Sequence, residues 1–403
     1  MKIPSLLRAV AAVTAAAAAP FAVTLLLNDP PDMSRFMNAA IIFTAPGSYV
    51  TEPINLGNSS LILYKPTPQE PPSEETAPEI SSDTAEETTP PATEEQTAPP
   101  ETSEQPPATP EPETSSYIIT QNISPDEEDL TVFNSQDGTV EEMTFSSNNG
   151  ASYLTLPSGA QIRNCTDLDN DFVAEQMSIP TDIKIDLSSE EPQVLIMHTH
   201  ACESYLVDDS GYYDSNYTSR TTDASQSVVA VGQRIAEKLA ENGICVIHDG
   251  TLHDYPYYSG SYDRAEETIT QLLSAYPSIK VVLDIHRDGI EENDGTRVAA
   301  VTEINGREAA QVMIISAASD GYYYVPNYLQ NFRFACLLQD SMESAAPGIT
   351  RPVLFEYCQY NQHLSTGSLL IEVGSHGNTL EQALYTGELI GESIATALLS
   401  LTD

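Results

Sequence analysis

From residue 192 onward, short apolar runs alternate with helical spacing, and several of the runs break off into polar clusters. Val194-Leu195-Ile196-Met197 gives way to His198-Thr199-His200-Ala201-Cys202-Glu203-Ser204-Tyr205. Four apolar residues in a row predict a buried strand that ends where the polar cluster starts. Val228, Val231, Ile235 and Leu239 fall on one helical face, and Gly243 supplies the stop. A strand at 244–247 follows, then a turn-rich loop at 248–262, then a helix marked by Ala265, Ile269, Leu272 and Leu273. The strand at 281–285 completes a strand–helix–strand–helix–strand order, which predicts an α/β domain with parallel strands and crossover helices. Beyond it, 298–304, Asn305-Gly306 and 309–315 predict a hairpin. An amphipathic stretch around Leu329, Phe332, Leu337 and Met342 precedes strands at 353–355 and 369–373. The last helix opens on Thr379-Leu380-Glu381-Gln382, a capping-box pattern, and buries Leu384, Leu389, Ile390, Ile394 and Leu398.

The first half reads differently. Residues 9–27 carry no charge and follow Lys2 and Arg8, so residues 1–31 are expected to be a retained signal-anchor with the body outside the cytoplasm. Residues 32–66 form a juxtamembrane segment with short apolar runs, too short for a core of its own. Residues 67–116 are rich in Pro, Glu, Thr and Ser and almost free of large apolar side chains. Such a composition cannot bury enough surface to offset ordering entropy, so a disordered, extended tether is expected there. Strand-like patches at 117–119 and 153–156 give residues 117–191 the reading of a β-rich extension. The catalytic body is expected at 192–403.

Charge and cysteines narrow the functional classes. The net charge is −43, and no Lys or Arg stands between Lys65 and Arg163. A polyanion of this kind argues against nucleic-acid binding. The five cysteines are odd in number, irregularly spaced and without a CxxC, so they do not read as a disulfide framework. HExxH, a Gly-rich phosphate loop and a serine elbow are all absent.

The candidate chemistry sits at strand ends. His200 ends one strand, His286 ends another within Leu283-Asp284-Ile285-His286-Arg287-Asp288, and Glu372 is a lone carboxylate inside Leu369-Leu370-Ile371-Glu372-Val373. Open α/β sheets gather ligands beyond the carboxyl ends of their strands. Burying a carboxylate without a partner costs several kcal/mol, so Glu372 calls for a base, a proton or a cation nearby. Imidazole and carboxylate together suit zinc. His198 is expected to orient the centre rather than to ligate, and Cys202 is a remote candidate as a thiolate. His248 and His253 are expected to line a substrate groove.

These motifs, with His253-Asp254-Tyr255-Pro256 and Gly260-Ser261-Tyr262, closely resemble the stage II sporulation protein P family over about residue 150 to the end. The resemblance implies an amidase-like, or phosphorylase/hydrolase-like, α/β fold with a mostly parallel central sheet flanked by helices. It implies a membrane-anchored peptidoglycan hydrolase related to zinc N-acetylmuramoyl-L-alanine amidases, with endopeptidase activity as well, acting in engulfment. A sporulation protein D-type lytic transglycosylase and a membrane partner are the implied companions, and the cell membrane the implied location. The cofactor it implies is Zn2+, with His200 and His286 as the expected ligands. Glu372 takes the position of the general base. The third ligand is expected to be Asp223, just before the first long helix as in the amidases, with Glu203, whose His200-x-x-Glu203 spacing is that of zinc carboxypeptidases, as the alternative. A carboxypeptidase-like peptidase and a non-catalytic wall-binding protein are the alternatives.

Overall fold

The computed structural model of the chain describes residues 49–54, 60–67 and 135–402. The expected anchor, most of the tether and residues 117–134 lie outside the described residues. Among those described, no helix is long and apolar enough to cross a membrane.

The elements run β1 (Tyr49–Ile54), β2 (Leu61–Pro66), β3 (Gly138–Met143), β4 (Tyr153–Thr155), β5 (Gln161–Asn164), α1 (Asn170–Met177), β6 (Val194–Met197) and β7 (Tyr212–Tyr213). Then come α2 (Val228–Glu241), β8 (Val246–Asp249), α3 (Ser261–Ala275), β9 (Val281–Asp288), β10 (Arg297–Ile304), β11 (Arg307–Ala310) and β12 (Val312–Ala318). The chain finishes with α4 (Tyr328–Ala345), β13 (Val353–Tyr357), β14 (Ser368–Ser375) and α5 (Leu380–Leu399).

A ten-stranded sheet in the order β1-β2-β8-β6-β9-β14-β12-β13-β5-β4 forms the body, beside a four-stranded sheet, β11-β10-β3-β7. Strands β8, β6, β9 and β14 are mutually parallel, so their carboxyl ends share one edge. The expected mostly parallel sheet is corrected to a mixed one. β12 runs antiparallel to β14, and antiparallel pairs close both ends of the sheet. The physical reason lies in the hairpin. Asn305 and Gly306 turn with φ of 52° and 75°, the left-handed pair that a tight turn requires. The chain therefore leaves β11 running back toward the sheet, and β12 enters it reversed.

Side-chain alternation assigns the two faces. Val194, Ile196, Val281 and Leu283 pack with α2, α4 and α5 in one core, whereas Leu195, Met197 and Val282 pack with Ala265, Ile269 and Leu272 of α3 in another. Each fully buried Leu or Ile contributes about 1.5–3 kcal/mol by transfer from water. Helix α5 starts on the full capping box, Thr379 with Gln382. The hairpin β1–β2, from the segment read as juxtamembrane, pairs with β8 and puts Leu61 and Leu63 into the α3-side core.

Candidate active site

β6 delivers its polar cluster to the shared edge, and two contacts fix it against β9. The Thr199 backbone N–H and hydroxyl donate to the two oxygens of Asp284, at 2.8 and 2.6 Å. His198 Nδ1 donates to the Ile285 carbonyl at 2.8 Å. A carbonyl only accepts, so the proton is on Nδ1; Nε2 must then accept from His248 Nε2, 3.0 Å away. Burial holds both imidazoles neutral, pushing His198 down to about 4 and His248 to about 3. The pair lies under α2 at Gly232, where a Cβ would come within 2.5 Å of the His198 ring. His248 and His253 are both 3% exposed, and His253 is held by Asp249 at 3.1 Å. The expectation that they line a groove is corrected: β8 extends through Asp249 and takes His248 inside.

On the α3 side of the sheet, four groups come together. The rings of His200 and His286 meet edge to face with centroids 5.4 Å apart. A Glu203 carboxylate oxygen lies 3.4 Å from His286 Nδ1 and accepts from the Arg287 backbone N–H at 3.2 Å. Glu372 stands beside His286 in the β14–β9 register. His200 Nδ1, His286 Nε2 and Glu372 Oε2 are buried without a hydrogen-bond partner. His286 Nε2 is 2.8 Å from Asp284 Oδ1, but out of line for a hydrogen bond, so the contact is electrostatic only. Glu372 as a residue is half-buried while that one oxygen is fully covered.

The charges follow from these neighbours. Burial pushes the Glu372 carboxyl up to about 8, and Asp288 and Glu203 add to it against His286 and Arg351. Burial also disfavours charge on Glu203, but Arg287 and the two histidines outweigh it and hold this carboxyl far below the usual range. His286 is driven the other way: Asp284 and Glu203 overcome burial and raise it well above an ordinary histidine. Burial takes His200 down to about 4.

The structure brings His200, His286, Glu203 and Glu372 to one place and does not bring Asp223 there. Asp223 is exposed, and its carboxylate accepts from the backbone N–H and hydroxyl of Ser225 at 2.9 and 2.7 Å, capping the short 3-10 turn Ala224–Gln226. Cys202 is buried, which raises its thiol and keeps it from acting as a thiolate. All five cysteines are free. Among the described residues, the one set of three or more potential ligands whose donor atoms all lie within 4.8 Å is Glu142, Asp209 and Glu308, three exposed carboxylates; the His200–Glu203–His286 centre stands wider. Exposed carboxylates alone are hard-cation donors, whereas two imidazoles with a carboxylate make a zinc set.

Two participants were not singled out above. Asp284 is two residues before His286, hence on the same strand face, and that spacing could have found it. Arg220, the one cation in the acidic loop 205–223, bridges Asp254 at 2.8 Å and approaches Glu203 at 3.7 Å.

A parallel-strand edge carrying two histidines and two carboxylates, with buried nitrogens left unpartnered, defines an α/β protein with a polar candidate site at the carboxyl ends of its strands. The chain belongs to the stage II sporulation protein P family, whose model matches residues 48–395. The stage II sporulation protein P of Bacillus subtilis (strain 168) is 26% identical over 206 residues, 48% of this chain and 48% of that protein. The match thus spans about half the length of that curated relative. Among solved structures, the N-acetylmuramoyl-L-alanine amidase AmiC2 of Nostoc punctiforme aligns over 52% of this chain and 96% of its own, at 14% identity and a TM-score of 0.30. The CwlD amidase from Clostridioides difficile, in complex with the GerS lipoprotein, aligns over 51% and 94%, at 13% and 0.33. A metallo-carboxypeptidase from Burkholderia cenocepacia aligns over 57% and 68%, at 11% and 0.30. Likenesses this distant carry no argument about chemistry.

Proposed function

We propose that this chain is a zinc-dependent peptidoglycan hydrolase of sporulation, cleaving the amide between N-acetylmuramic acid and L-alanine and, at the same centre, cross-link peptide bonds. The observation that carries the reading is Glu372 beside His286, one carboxyl oxygen unpartnered, facing the edge that also holds His200 and Glu203. Family membership supports sporulation as the setting, and with it the wall as substrate and engulfment as the step.

His200, His286 and Glu203 are the residues that would hold zinc. Their two imidazoles and one carboxylate match its donor set: His200 Nδ1 is an orphaned atom a cation would satisfy, and Nδ1 is the His286 nitrogen that faces Glu203. Bound zinc supplies Lewis acidity toward the scissile carbonyl and an acidified water. Glu372, with one carboxyl oxygen unpartnered at this edge, is the residue that would take up a proton there as general base and give it to the leaving nitrogen. Asp284, fixed by Thr199, orients His286, and Arg287 and Arg220 hold Glu203 ionised. Glu203 as third ligand replaces the amidase-like choice of Asp223 in this reading. It also gives the carboxypeptidase-like alternative its one supporting observation, the His200-x-x-Glu203 chelate. The uncharged N-terminal run supports a membrane-held protein with its body outside the cytoplasm, and a lytic transglycosylase of the sporulation protein D type and a membrane protein remain the companions that the resemblance implies.

The test is paired. Chelation should abolish wall hydrolysis and zinc should restore it, while Glu372→Gln should keep zinc and fold and lose about 10²-fold or more in turnover. Undiminished activity in chelator, or wild-type turnover in the variant, would sink the proposal.

A further inference from the structure

The loop between β8 and α3, residues 252–260, carries three tyrosines that the proposed chemistry does not use. Tyr255, Tyr257 and Tyr258 are 39, 54 and 36% exposed. Their backbone is held firmly. Arg264, in the first turn of α3, donates to the carbonyls of His253 (2.6 Å), Ser259 (3.1 Å) and Tyr257. Asp254 latches the same loop to the histidine strand, accepting from the Cys202 backbone N–H at 3.2 Å and from Arg220 at 2.8 Å. The Tyr258 ring stacks on His200, centroids 4.5 Å apart and planes 11° apart, with the Arg220 guanidinium 4.6 Å from the same ring. The loop is therefore a fixed rim of the centre, and its backbone has little freedom left to lose on binding.

Two observations select the ligand. Both arginines of the rim are already engaged, Arg264 by carbonyls and Arg220 by Asp254, so an anionic ligand would find no free cation there. It would also approach a chain of net charge −43. A neutral ligand with a flat apolar face and hydrogen-bonding edges fits: ring carbons cover the tyrosine faces while hydroxyl and amide groups meet the phenol oxygens. We propose that Tyr255 and Tyr257, exposed on the same braced loop as Tyr258, form a stacking subsite for the neutral glycan strand, the chain of N-acetylated amino sugars. The subsite rests on the hydrolase reading and adds where the strand lies.

Binding is measured in the full chain carrying Glu372→Gln, so that no cleavage intervenes, by calorimetry with soluble N-acetylglucosamine oligomers and by co-sedimentation with insoluble chitin, both of them neutral. The parent should bind both. Adding Tyr255→Ala and Tyr257→Ala should weaken binding about tenfold or more, and the Tyr255→Phe, Tyr257→Phe pair should restore it, because the ring faces remain. Equal binding by parent and alanine pair, no binding by the parent, or a phenylalanine pair as weak as the alanine pair would each overturn the subsite. Tyrosine-dependent binding of free stem peptides without glycan would overturn it as well, in favour of a peptide site. Wall hydrolysis by the unmutated chain is read separately: if it proceeds while the subsite test fails, only the subsite falls.

Discussion

Glu203 and Asp223 compete for one role, and their surroundings separate them. Glu203 is 6% exposed, next to His286 and braced by Arg287, whereas Asp223 is exposed and caps a turn. Glu203→Ala should abolish stoichiometric zinc binding, since two histidines are one protein ligand short of an ordinary catalytic site. Asp223→Ala should keep zinc and lose only about 1 kcal/mol of stability with the cap. Zinc titration of both decides, and the opposite pattern would return the ligand to Asp223. At this scale the sequence was informative where a residue ended a strand: His200 and His286 stood out because apolar runs stop at them, and Glu372 because it interrupts one. For the third ligand the sequence favoured Asp223 over Glu203, and the structure places Glu203 there instead, because both sit in loops whose path is set by distant contacts such as Arg220 with Asp254.

Among the elements, α2 and β8 show why apolar runs misplace boundaries. The run Ile244-Cys245-Val246-Ile247 suggested a strand, yet β8 spans Val246–Asp249, paired so that Ile196 meets His248. A histidine can occupy that strand because His198 Nε2 accepts its N–H and Gly232 leaves it room. Glycine inside a helix costs about 1 kcal/mol relative to alanine, so its place here reflects packing. Gly232→Ala should therefore lower stability despite the better helix former: overpacking costs about 1–3 kcal/mol, and the displaced His198 would loosen its hold on Ile285 beside His286. Thermal unfolding reads it; a raised midpoint would mean that the histidine pair tolerates displacement. Helices α2 and α5 were legible from spacing and caps, because their faces meet one core and their ends are set locally.

For the whole molecule, what escaped the sequence is long-range. Nothing local says that residues 49–66 close the sheet against β8, or that β12 enters reversed. The buried histidine pair also gives the body a pH dependence. Both folded pKa values, about 4 and about 3, lie below the ordinary 6.5 that the unfolded chain regains. Between those values the unfolded chain binds more protons, so stability is full above about 6.5 and falls as pH falls toward 4, by up to about 1.4 kcal/mol per pH unit for each histidine. Denaturant unfolding of chelator-treated protein from pH 7.5 to 5 should show the fall, with a shallower slope in His248→Gln; identical slopes would contradict the account. The central claim, that this centre cuts the wall at the amide of N-acetylmuramic acid, is tested most directly by mass spectrometry of what the zinc-loaded chain releases from purified peptidoglycan. Free stem peptides beginning with L-alanine, beside glycan strands bearing the free lactyl carboxylate, are the expected products. Loss of terminal D-alanine alone, or an unchanged wall, would contradict it.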